Sequence, residues 1–84
     1  MGKHEKLLAR LKARPSDFTF DELETLLTGL GFRRADSGKT SGSAVRFVHP
    51  HYQAIRLHKP HPGNELKRYV VNELLEKLEN EGLT

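Results

Sequence analysis

At 84 residues the chain has room for one small domain, which excludes multidomain machinery. It contains no cysteine, so disulfide staples and thiolate metal sites are excluded, and a cytoplasmic setting is expected. The net charge is a mild +3, no apolar run reaches the length of a membrane span, and the N-terminus lacks the apolar core of a signal peptide.

Lys3 to Arg14 reads as a short helix with Leu7, Leu8 and Leu11 on one stripe, stopped by Pro15. It is charged elsewhere and is expected to be a surface helix appended over residues 1–15, ahead of a domain over 16–84. A second helix opens on a capping box, with Thr19 as N-cap and Glu22 three residues on. Phe18 and Leu23 flank that box as a hydrophobic staple. Phe20, Leu23, Leu26, Leu27 and Leu30 then recur at helical spacing, and Gly29 and Gly31 offer a left-handed exit.

Phe32 to Ala35 is a first strand, followed by a polar loop from Asp36 to Ser43. Ala44 to His49 and Ala54 to His58 both alternate. Val45, Phe47, Ile55 and Leu57 fall on one face, with Arg46, Arg56 and His58 on the other. The short HPHYQ segment between them suits a hairpin. HKPHPG is a connector stiffened by two prolines, and Asn64 is expected to cap a last helix carrying Leu66, Val70, Leu74 and Leu78. The fold class expected is α+β: a three-stranded antiparallel sheet packed against helices, in the order α-α-β-β-β-α.

The chemistry concentrates in the middle of the chain. From Arg33 to Arg68 the bases are Arg33, Arg34, Lys39, Arg46, Arg56, Lys59, Lys67 and Arg68, against only Asp36 and Glu65. Clustered cations without acidic partners are the footprint of a polyanion. Four of the five histidines, His49, His51, His58 and His61, lie in the same stretch. Histidine is the side chain that exchanges protons near neutral pH.

Gly38-Lys39-Thr40 has the tail of a phosphate-binding loop, but the earlier glycine would fall at Arg33 and a strand, not a helix, follows. Lys39 and Ser43 are better read as phosphate contacts from an ordinary loop. The histidine spacings would allow metal ligands, yet no carboxylate or cysteine is near them and strand alternation does not converge four rings. No metal or other cofactor is expected, and a small-molecule ligand is not favoured. His49, beside Pro50, is read as a turn residue. Tyr69 is expected to cover the edge of the core, with base stacking as the other reading.

Metal-free RNA cleavage needs a base for the 2′-hydroxyl proton, an acid for the 5′-oxygen, and cations on the phosphorane. His58 and His61 supply the first two, and Arg46, Arg56 and Lys59 the third. Binding to RNA without cleavage remains the rival reading of the same residues.

An amphipathic helix ending at Gly31-Phe32, Gly42-Ser43 entering a strand, and Arg46-Phe47-Val48-His49-Pro50 together resemble the HicA (YcfA-like) toxin family. So do His61-Pro62-Gly63 and the closing Glu81-Gly82-Leu83. The similarity runs from about Thr19 to Leu83. It implies a fold like the double-stranded-RNA-binding domain, mRNA endonuclease activity, and inhibition by a HicB-like antitoxin. It also implies a catalytic histidine directly after the Gly-Ser pair, where this chain has Ala44. The expectation is therefore a divergent mRNA-binding toxin, with cleavage carried by His58 and His61 or absent.

Overall fold

A computed structural model describes residues 3–35, 44–60 and 63–83. The order is α1 (Lys3–Lys12), α2 (Phe20–Gly29), β1 (Arg33–Arg34), β2 (Ala44–Val48), β3 (Ile55–His58) and α3 (Arg68–Asn80). The strands form one antiparallel sheet in the order β1-β2-β3. This is the α+β order that the hydrophobic periodicities dictate.

The local signals at α2 act as their chemistry requires. The Thr19 amide donates to Glu22 Oε1 at 3.0 Å, and the Glu22 amide donates to Thr19 Oγ1 at 3.1 Å. Two of the otherwise orphaned donors of the first turn are thereby satisfied. Phe18 and Leu23 on either side of the box are fully buried. The helix exits through Leu30 into Gly31, whose φ of +99° is a conformation that side chains resist.

The core lies on one face of the sheet. Val45 and Phe47 of β2 and Ile55 of β3 meet Phe20, Leu23, Leu26 and Leu27 of α2 and the Val71, Leu74, Leu75 and Leu78 stripe of α3. Phe20 and Phe47 sit 6.2 Å apart, centroid to centroid, at the centre of this contact.

Three elements depart from the sequence expectation. The first helix is more than a surface appendage, because Leu11 is fully buried in the common core and Leu7 and Leu8 pack against it. Arg10 ties it down: Nε donates to Glu22 Oε2 at 2.8 Å, and Nη2 donates to Asp17 Oδ1 at 3.0 Å. Its guanidinium also lies 5.7 Å from the Phe18 ring.

Asn64 does not cap the last helix; Lys67 occupies that position, without a side-chain cap. The 64–66 segment instead pairs with 18–20. The Asn64 carbonyl accepts from the Phe20 amide at 2.8 Å, and the Leu66 amide donates to the Phe18 carbonyl at 2.7 Å. Thr19 and Glu65 form an antiparallel bridge. A tertiary backbone pairing has overridden the local capping preference, and it buries Leu66 beside α2.

Tyr69 does not cover the core edge either. It is 61% exposed, whereas the neighbouring Leu66 and Val71 fill the space.

Candidate nucleic-acid interface

Among the described residues no helix covers the sheet's second face. Period-two alternation sends Ala44 and Arg46 of β2 and Arg56 and His58 of β3 to that side, and all four are exposed. The register sets them in pairs: Ala44 opposite His58, and Arg46 opposite Arg56. Directly opposed residues have Cβ atoms about 4.5–5.5 Å apart. Arg33, opposite Val48, adds a third exposed arginine on the same side.

Neither Arg46, Arg56 nor His58 has an ion-pair or hydrogen-bond partner for its side chain among the described residues. Cations without acidic partners leave this face with a positive potential that attracts anions. Arg33 was in the basic census of the sequence but not among its candidate site residues. The alternation of a strand as short as Arg33–Arg34 is not a readable signal.

Lys59 leaves this group. The alternation that sends His58 outward turns Lys59 the other way, and its Nζ lies 5.5 Å from the centroid of the Phe20 ring. Arg34 approaches the same ring, at 5.6 Å, and donates to Glu24 at 3.4 Å. Both cations therefore stand towards α2 rather than on the open face. Lys39, Ser43 and His61 lie outside the described residues.

His49 is a locking residue of the fold. One of its ring nitrogens, Nδ1, accepts from the His51 amide at 3.0 Å, and Nε2 stands 3.2 Å from the Leu30 carbonyl. Because a carbonyl only accepts, that second contact requires the proton on Nε2. The ring also packs against both Phe32 and Tyr52, at centroid distances of 4.9 and 4.5 Å. It ties the end of β2 to the end of α2. With both nitrogens engaged it has no lone pair left for a metal ion. Among the described residues no group of three or more His, Asp or Glu side chains comes together to hold one.

The family model described as the HicA toxin of bacterial toxin-antitoxin matches residues 20–79. The chain belongs to the HicA toxin family. Toxins of this family pair with antitoxins. Helix α1 precedes the matched residues, so this HicA protein carries a helix that the family model leaves out while sharing one core with it. No curated protein and no solved structure matches the chain. Among the described residues no helix is long and apolar enough to cross a membrane.

Proposed function

We propose that this HicA-family toxin binds mRNA on the open face of its sheet and cleaves it without a metal, with His58 as general base. The observation that carries the reading is the pairing of Ala44 with His58. Resemblance to the family implies a catalytic histidine at position 44, and this chain has only a methyl group there. The residue directly across the strand pair is itself a histidine, exposed on the same face. An imidazole is thus supplied to the same patch of the sheet from β3 instead of β2.

In this mechanism His58 removes the proton of a ribose 2′-hydroxyl and its oxygen bonds to the adjacent phosphorus. The bond from phosphorus to the 5′-oxygen breaks, and an acid returns a proton to that oxygen. The products are a 2′,3′-cyclic phosphate and a free 5′-hydroxyl end. Arg46 and Arg56 neutralise the extra charge on the phosphorane. His61 is the proposed acid, with Lys39 and Ser43 as phosphate contacts; Lys59, turned towards Phe20, takes no part. A HicB-like antitoxin is the proposed partner that silences the toxin in the cytoplasm.

Ala44 also supports a second reading, an RNA-binding member that has lost cleavage. Incubating purified protein with mRNA in the presence of a chelator separates the two. Cleavage that persists in chelator, leaves cyclic phosphate ends and falls about 10²–10⁴-fold in His58→Ala supports the nuclease. Salt-sensitive binding with no cleavage would leave the binding module.

A further inference from the structure

A groove of about 340 Å³ opens where β3 faces α3, next to the open cationic face. That volume is within the range of small-molecule sites, about 300–1,000 Å³. Leu57, Val70 and Leu74 give it an apolar floor, and His58 and Arg56 stand along its strand side. On its helix side are Tyr69, Glu73 and Lys77, spaced so that each reaches the next along one face of α3. Tyr69 is the one large hydrophobic side chain exposed among the described residues.

We infer that this groove is a subsite for a single unstacked RNA base, preferring guanine, beside the phosphate that Arg56 and His58 address. The inference rests on the RNA reading above and assigns the base that adjoins the phosphate.

Three features favour a nucleotide over other occupants. The apolar floor and the exposed Tyr69 ring suit a planar base, which stacks on aromatic side chains without regard to its edge. The strand side carries Arg56 and continues into Arg46, which favours an occupant with negative charge on that side. The helix side presents an acceptor and a donor together. Glu73 is exposed and has no ion-pair partner among the described residues. Lys77 Nζ spends one of its three N–H groups on the Ala54 carbonyl, at 3.1 Å, which holds the ammonium in place.

Guanine alone offers two adjacent donors, N1–H and the N2 amine, with the O6 acceptor next to them. The two Glu73 oxygens accept the pair, and a remaining Lys77 N–H donates to O6. Cytosine, adenine and uracil each leave one carboxylate oxygen without a donor.

The test uses short, fluorescently labelled 2′-O-methyl uridine oligomers with one central guanosine, adenosine or cytidine, which bind but lack the attacking hydroxyl. Anisotropy titrations should show the guanosine oligomer binding tightest. Tyr69→Ala should weaken every oligomer about tenfold, and Glu73→Gln should erase only the guanosine preference. Both side chains are exposed, so thermal melting should find both variants folded. Arg56→Ala should weaken all oligomers alike. If Tyr69→Ala and Glu73→Gln bind each oligomer as wild type does while Arg56→Ala weakens them, the base subsite is wrong and the RNA face stands. If wild-type protein binds no oligomer even at low salt, the RNA reading falls and the subsite with it.

Discussion

At the residue scale, the decisive position is the one that lacks a side chain able to react. Because Ala44 and His58 are opposed in register, a histidine moved across the strand pair should reach much the same space. The double variant Ala44→His/His58→Ala is therefore expected to recover a large part of the cleavage lost in His58→Ala, measured as the rate of cyclic phosphate formation. No recovery, in a double variant that melts like wild type, would detach the chemistry from this pair. Gly31 makes a separate prediction about the fold. A Cβ there would lie 2.8 Å from His49 Nε2, on a backbone with φ of +99°. Gly31→Ala should cost at least about 1 kcal/mol in chemical denaturation. The outward direction of Arg46, Arg56 and His58 could be read from alternation alone. Lys59, one residue past β3, points instead towards Phe20, a consequence that grouping residues by charge conceals. The double engagement of His49 was not legible, since it depends on the Leu30 carbonyl arriving from another element.

At the element scale, the start of α2 is the best specified part of the chain. Thr19→Ala should lower stability by about 1 kcal/mol through loss of the cap. Glu22 is tied in more tightly, because it also accepts from Arg10. The hydrogen bond from Arg10, opposed by partial burial and assisted by the Thr19 amide, holds the Glu22 carboxyl below its usual range. A depressed carboxylate adds stability above its unfolded pKa, about 4.3 for glutamate, and loses it as the pH falls through the folded value. The stability gap between wild type and Glu22→Gln should thus be present at neutral pH and close in acid. A gap that stays constant down the pH scale would show that the Arg10 ion pair contributes nothing. The capping box was legible because all of its partners lie within four residues. Asn64 misleads for the opposite reason. Its backbone is claimed by Phe20, far away in sequence, and its side chain donates to Asp21. The groove beside α3 was equally hidden: Tyr69, Glu73 and Lys77 show helical spacing, but only the packing of the helix reveals that they look towards β3.

At the scale of the whole molecule, one apolar face holds everything together. Phe47 is fully buried between the sheet and α2, so Phe47→Ala should cost about 3–5 kcal/mol and bring so small a domain close to unfolding. The opposite face is the one proposed to bind RNA. Affinity for RNA should fall steeply with salt as counterions are released. Arg46→Ala or Arg56→Ala should each reduce the slope of log affinity against log salt by about one unit. The pairing of Arg46 with Arg56 has a further consequence, for the chain when nothing is bound to it. Two like charges set directly opposite across a strand pair repel, typically by a few tenths of a kcal/mol to about 1 kcal/mol. Added salt screens that repulsion, so the free protein should melt at a higher temperature in the same buffers that release it from RNA. A chain of phosphates laid over the pair would remove the repulsion more completely than salt does. On the proposed reading the toxin would be at its least robust when empty, and bound RNA would double as the counter-charge that completes its sheet.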